Sequence, residues 1–521
     1  MYIQPNSTIK LLRNVPIDPN QTDTLYFDST TSQYNYFVNK SVMTFENNTY
    51  QRVNKGACRL NVLSDKVYDV NYMMFKNTNY SGKWFYAFVD EVEYINDNTT
   101  EIKFTIDPIQ SWFFEYESDE CFVERETTPT DDIGEHIEPE KLGVGEYVIN
   151  GTYEAIGTTF SDQCIIIAWN DPDETYVNMH DGVMTACKLL AYDTTISGIN
   201  EVKNFIDSQS AHPDSIINIY MCPKALIGEI NSTHVISYGS SGTSITAYMN
   251  AISTNDTLDG YLPKNNKMYT YPYSFYHVDA PSGQSLITRY EFFKDLKPCF
   301  TISGNITTPV ELVCIPSQYK GSKPKSELTS PEEYRPERLS IKGIPICNWS
   351  VDYYSNWLAQ NSVPMLVNSA STLGIAVATE NPMIGAMAVT NIAHTLSDFY
   401  RASIQADITK GSFNTGSNDY SNNRDYFKGS RMSVSHQIAK RIDDFFTCFG
   451  YNVGVVKKPN RYQRTRFTYV KTIGCNISGS LPSSDAKYIA DCYDRGIRFW
   501  ADHINVCDYT KANEILPKDE E

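Results

Sequence analysis

Residues 362–397 carry one formal charge, Glu380, in a chain that is otherwise polar and acidic. The segment is built from Ala, Gly, Ser, Thr, Met and branched aliphatic residues, with no aromatic side chain. Its larger apolar members are Val363, Leu366, Val367, Leu373, Ile375 and Val377, then Met383, Ile384, Met387, Val389 and Ile392. A membrane span needs roughly 20 apolar residues to cross about 30 Å. Pro364 and the Glu380-Asn381-Pro382 break leave two shorter pieces. At roughly 1.5 Å per residue a ~15-residue helix reaches only ~22 Å. Periodicity alone favours a buried helical hairpin. The same profile suits a segment held inside protein and released into a bilayer later.

The rest of the chain narrows the class. It has 521 residues, enough for several domains. Aromatic residues make up 13%, 37 of them Tyr, which with abundant Asn, Ser and Thr describes a β-rich, loop-rich protein. A net charge of −18 argues against wrapping nucleic acid on an outer face, because phosphate neutralisation needs Lys and Arg. It permits a surface past which nucleic acid slides. No basic stretch followed by an apolar run opens the chain, so no signal peptide is expected. Twelve Cys are scattered without a Cys-x-x-Cys pair, the pattern of reduced thiols in a protein made in a cytoplasm.

Local signals predict the elements. Residues 84–95 form a strand, and Asn96-Asp97-Asn98 a turn. Ile102, Phe104 and Ile106 alternate with polar residues on a half-buried strand. Asp107-Pro108 predicts an N-cap followed by Pro at the first helical position. The acidic, Pro-containing stretch 127–141 marks a boundary. Beyond it, residues 164–169, 200–208 and 215–221 predict a strand, a helix and a strand, an α+β insertion in a β protein. Residues 316–340 are polar and longer than most loops, hence functional or a bridge between domains. Ile438, Ile442, Phe445, Phe446 and Phe449 fall at helical spacing, with Gly450 as C-cap. Strands are expected at 452–456 and 464–471. A last helix, capped by Ser484, is expected to carry Ile489, Cys492, Tyr493, Ile497 and Trp500 on one face. Phe445 and Trp500 are then expected in one core.

Motifs for chemistry are missing. The eight His do not cluster, and there is no His-Glu-x-x-His, so neither metal nor cofactor is expected. Gly143-Val144-Gly145 follows a polar stretch, not a strand, and reads as a turn. Gly239-Ser240-Ser241-Gly242 lacks nucleophile-elbow spacing, and Asp171, Asp173 and Glu174 read as a solvated loop. One charge anomaly stands out. From Arg431 to Cys475 nine Lys or Arg face two Asp, and Lys457, Lys458, Arg461, Arg464 and Arg466 concentrate the excess. A solvated strand face and turn is the plain reading; the functional one is contact with nucleic acid or an acidic partner subunit, of which the partner subunit is preferred.

A series of short stretches carries a family resemblance. It begins with Ser32-Gln33-Tyr34-Asn35-Tyr36-Phe37 and Tyr72-Met73-Met74-Phe75-Lys76-Asn77. It is densest at Lys83-Trp84-Phe85-Tyr86-Ala87-Phe88-Val89, Phe104-Thr105-Ile106-Asp107, Gln110-Ser111-Trp112-Phe113-Phe114 and Phe122-Val123-Glu124-Arg125-Glu126. It resumes at Gln405-Ala406-Asp407-Ile408, Phe449-Gly450-Tyr451-Asn452 and Val456-Lys457-Lys458-Pro459-Asn460. It closes with Asn476-Ile477-Ser478-Gly479 and Gly496-Ile497-Arg498-Phe499-Trp500. In order and spacing the chain resembles the tail knob, or distal tail tube, proteins of small short-tailed phages of Gram-positive bacteria, the salasmavirus, rountreevirus or picovirus group. Residues 131–340 match only loosely.

The resemblance implies a non-enzymatic virion protein, mainly β with α+β character and multi-domain. Six copies would form a tube, contact the lower collar and distal spike, and let DNA pass without specific binding. An apolar loop would plug the tube and enter the host membrane during infection. The segment 362–397 lies where that loop belongs, between Trp357-Leu358-Ala359-Gln360-Asn361 and Gln405-Ala406-Asp407. The expected division is a tube part at 1–130, an inserted lobe at 131–315 and a linker returning to the tube at 316–361. The plug loop at 362–397 and a second tube part at 398–521 follow. The rival expectation is a receptor-binding or wall-degrading tail protein.

Overall fold

The computed structural model describes residues 6–348, with interruptions of which 320–338 is the longest, and residues 427–517. The described residues are mainly β, with five α-helices: α1 (Thr30–Asn39), α2 (Pro108–Ser111), α3 (Ile196–Ser208), α4 (His436–Phe449) and α5 (Ser483–Arg495).

The N-terminal part builds a six-stranded antiparallel sheet. Its order is Ser41–Asn48, Ser7–Leu12, Tyr72–Asn77, Phe85–Asn96, Thr99–Ile106 and Ala57–Leu60. Successive side chains on a strand point to opposite faces. Met73 and Phe75 therefore join Ile9, Leu11 and Ile102 in one core. Tyr72 and Met74 join Phe37 of α1 and the C-terminal elements in another. Both faces of this strand are covered, so Tyr72, Met73, Met74 and Phe75 are all buried. At the end of the strand Thr99–Ile106, Asp107 caps α2 as the sequence predicts, accepting from the Gln110 N–H with Pro108 behind it.

A second sheet mixes the two ends of the chain. Its order is Asp23–Leu25, Ile497–Trp500, Phe467–Ile473, Cys121–Glu126 and Tyr451–Lys457. Asp23–Leu25 runs parallel to Ile497–Trp500. Here one expectation is corrected. Ile497 and Trp500 lie on a strand, not on the preceding helix, because α5 ends at Arg495 and Gly496 turns the chain at φ 97°. A Cβ at that position would sit 2.2 Å from the Tyr469 hydroxyl, so backbone and packing both require Gly. Phe445 and Trp500 consequently belong to different cores. Trp500 lies with Phe467 and Tyr493, and Phe445 packs against the core of Phe446 and Tyr451.

The middle of the chain forms three larger sheets around that second core. One has the order Lys188–Asp193, Gln163–Trp169, Ile216–Pro223, Pro345–Asn348, all antiparallel neighbours. The predicted strand-helix-strand unit is there, with Lys188–Asp193 as an extra member. Helix α3 starts four residues earlier than expected because Thr195 caps it, accepting from the Gly198 N–H. Glu311–Pro316 and Leu339–Lys342 are antiparallel neighbours in another sheet. The polar stretch between them therefore joins two strands of one sheet. Phe427–Val434 pairs with Ser274–Asp279, and α4 packs in the same core. The core changes between Val123 and Ile133, and again between Tyr451 and Phe467. The expected boundary at 398 lies outside the described residues, and residues 427–451 pack with the middle of the chain.

Candidate assembly surface

The strand Cys121–Glu126 is the hinge of the mixed sheet, with a C-terminal strand on each side. Cys121 and Val123 point into the core. Phe122 points out and is opposite Val456 on one neighbour and Ile473 on the other. Directly opposed residues share a face, so the three side chains form an apolar row across three strands. They are 38%, 69% and 56% exposed. The outer strand, Tyr451–Lys457, pairs only with Cys121–Glu126 among the described residues. Its register slips between Asn452 and Val455, where Gly454 takes φ 57°. Val455, opposite Val123 on the other face, is also exposed at this bulge. An open edge that carries apolar side chains is a template for another chain.

Five cations lie along and behind this edge, and all are engaged within the chain. Lys457 pairs with buried Glu126, and Lys458 with Glu117 at 2.6 Å. Arg461 donates to the Phe113 carbonyl at 2.9 Å and covers the Phe113 ring. Arg464 donates to the Thr128 carbonyl, and burial pulls its pKa down. Arg466 pairs with Asp502 at 3.0 Å and donates to the carbonyls of Asn505, Asp508 and Lys511. Burial pushes Asp502 up, but hydrogen bonds from Asn505 and Arg466 outweigh it and hold the carboxyl at about 2. The local positive charge thus fastens residues 113–128 and 502–511 to the turn that follows the edge strand.

Beneath the edge, a buried ionic knot joins three distant parts of the chain. Glu140 accepts from Arg125 at 2.5 Å, from Lys267 at 2.9 Å and from the Asn452 N–H at 2.8 Å. Side-chain exposures are 6% for Glu140, 10% for Arg125 and 2% for Lys267. Burial lowers the Lys267 pKa, and the Phe446 and Tyr451 rings flank its ammonium. Nearby, the buried Asp443 of α4 accepts from the Tyr261 hydroxyl at 2.7 Å and from the N–H groups of Lys264 and Asn265. These contacts set the start of Tyr451–Lys457 against the middle lobe.

The residues of the apolar segment, from Val363 to Ile392 and including Glu380 and Pro382, lie outside the described residues. Among the described residues no helix is long and apolar enough to cross a membrane, and no group of His, Cys, Asp and Glu could hold a metal ion. The row of Phe122, Val456 and Ile473 was not singled out by sequence. Its only local signal is the pair Val455-Val456 after a Gly in a strand-like run.

Comparisons with known proteins agree with this architecture. The family described as the C-terminal domain of the Bacillus phage phi29 tail knob protein gp9 matches residues 237–514. A caudoviral major tail protein N-terminus matches residues 5–117. These define a phage tail protein. The chain belongs to the family of the phi29 tail knob protein gp9. It is 24% identical to that protein of Bacillus phage phi29, over 99% of this chain and 100% of the relative. It is also 24% identical to the tail knob protein gp9 of Bacillus phage B103, with the same coverage. The tail knob protein gp12 of bacteriophage C1 has the same fold, with a TM-score of 0.66 at 14% identity, over 98% of this chain and all of that one. The chain is therefore a structural component of a phage tail.

Proposed function

We propose that copies of this chain close into a ring, expected to be hexameric, that forms the distal end of the tail channel for DNA ejection. The apolar segment 362–397 plugs that channel and enters the host membrane during infection. The chain acts without enzymatic activity, in contact with collar and spike proteins of the tail. The observation that carries this reading is the nearly uncharged segment itself, in a chain belonging to a tail knob family. Several copies together could line a water-filled pore, so each segment need not be an independent span. The mixed sheet supplies the tube wall, and ring closure covers its open edge. The net charge of −18 suits a lumen past which DNA slides.

Negative-stain imaging of the full chain should show rings with a central channel. Replacing 362–397 by a short Gly/Ser linker should leave the rings and abolish dye leakage from liposomes under conditions where the full chain leaks. Failure of the shortened chain to fold would make the segment structural core. Leakage by its intact rings would place the membrane activity elsewhere.

The edge is tested separately. Val456→Asp puts a charge on an exposed side chain, so the subunit's stability should change by no more than about 0.5 kcal/mol. Ring formation, read by light scattering and imaging, should be lost. Intact rings would remove the row of Phe122, Val456 and Ile473 from the subunit interface.

A further inference from the structure

Two thiols from opposite ends of the chain meet in the mixed sheet. Cys121 opens the strand that pairs Phe122 with Ile473. Just before it, the Asp119 N–H donates to the Asn476 carbonyl at 3.0 Å, and Ser118 pairs with Ile477. Cys121 and Cys475 therefore sit between two hydrogen-bonded ladders that hold their backbones side by side. Each thiol lies near enough to affect the ionisation of the other, and the Cys475 thiol donates to the Asn476 carbonyl at 3.9 Å. Asp494 of α5 fixes the turn that carries Cys475. It accepts from the Thr472 hydroxyl at 2.7 Å, the Cys475 N–H at 3.1 Å and the Gly474 N–H at 3.2 Å. Cys121 is 6% exposed, while Cys475 is half-buried and open to a small reagent.

We propose that Cys121 and Cys475 are a thiol pair that oxidises to a disulfide in the folded protein and locks the seam between the two ends of the chain. The oxidant is a low-molecular-weight disulfide. The Cys475 thiolate attacks one of its sulfurs, forms a mixed disulfide and expels one small thiolate. The Cys121 thiolate then attacks the Cys475 sulfur, forms the protein disulfide and expels the second. The two protons released by the cysteines end on the two small thiols, so two protein thiols are oxidised and one small disulfide is reduced.

Thiolate is the reactive form. Burial pushes the Cys475 thiol up to about 12 and raises Cys121 as well. The lock is therefore slow near neutrality, and its rate rises about tenfold per pH unit while the attacking thiol is mostly protonated. A reducing cytoplasm leaves the pair open during synthesis, and an oxidising medium closes it afterwards. The bond would close a loop of about 350 residues, where cross-linking restricts the unfolded chain strongly.

The test uses the purified full chain, incubated folded with oxidised glutathione at mildly alkaline pH, then alkylated and mapped by mass spectrometry. The expected result is one cross-link, Cys121 to Cys475, reversed by dithiothreitol. The thermal unfolding midpoint should rise by roughly 5–10 °C. Cys121→Ser should trap glutathione on Cys475, and Cys475→Ser should leave Cys121 reduced. Both thiols alkylated in the folded wild type after prolonged oxidation would overturn the proposal. So would a glutathione adduct that persists on wild-type Cys475, since the two sulfurs would then be unable to meet.

Discussion

Trp500→Ala should lower unfolding stability by about 3–5 kcal/mol. Trp500 is fully buried at the end of its strand. Its ring lies 4.5 Å from that of Phe467 and 5.6 Å from that of Tyr509, centroid to centroid. Its indole N–H donates to Asp23 at 2.8 Å, and Asp23 also faces Arg498 at 3.6 Å. Truncation therefore leaves a cavity and removes a donor from a poorly exposed carboxylate, and both effects destabilise. The loss falls where Asp23–Leu25 joins the sheet, so the two ends of the chain should separate first. Chemical denaturation followed by far-UV circular dichroism measures it. Trp500→Phe, which keeps much of the volume but not the donor, should cost less. A change below about 1 kcal/mol for the Ala variant would contradict the packing described for this core.

Glu140→Ala should be comparably severe, about 3–5 kcal/mol, through charge rather than volume. Removing one partner of a buried ionic group leaves the others uncompensated. Here two cations, Arg125 and Lys267, would lose their shared carboxylate, and the Asn452 N–H its acceptor. Glu140→Gln should fall between wild type and Ala, because the amide oxygen still accepts but carries no charge. Replacing Glu140 and Lys267 together by Leu and Met should recover part of the loss, since an apolar substitute removes the buried charge. If Glu140→Ala unfolds at the wild-type denaturant concentration, the knot does not join the lobe to the sheet.

Local chemistry made many elements readable. Asp107 before Pro108 and Gly450 after the periodic Phe residues are caps whose partners lie within one turn, so a few consecutive residues suffice to recognise them. Alternation at Ile102 and Phe104 identified a half-buried strand for the same reason. The helical spacing of Ile497 and Trp500 misled, because an apolar pair three residues apart also fits a short, fully covered strand. Gly496 ends the helix first, and the Tyr469 hydroxyl against its backbone is invisible in a linear reading.

The candidate surface was legible only in part. The positive charges around Arg461 stood out, but their partners, Glu117, Glu126 and Asp502, come from distant parts of the chain. The exposed row is a product of register. Phe122 is hundreds of residues from Val456 and Ile473, and only the pairing of three strands puts them on one face. Sequence by itself determined the mainly β character, the caps, the family resemblance and the one nearly uncharged segment, because each depends on composition or on neighbours along the chain. The tertiary structure alone decided that the two ends share a sheet, that residues 427–451 belong to the middle core, and that Cys121 comes to lie beside Cys475. Those outcomes depend on contacts whose sequence separation is large, and no local propensity encodes which distant strand a given strand will meet.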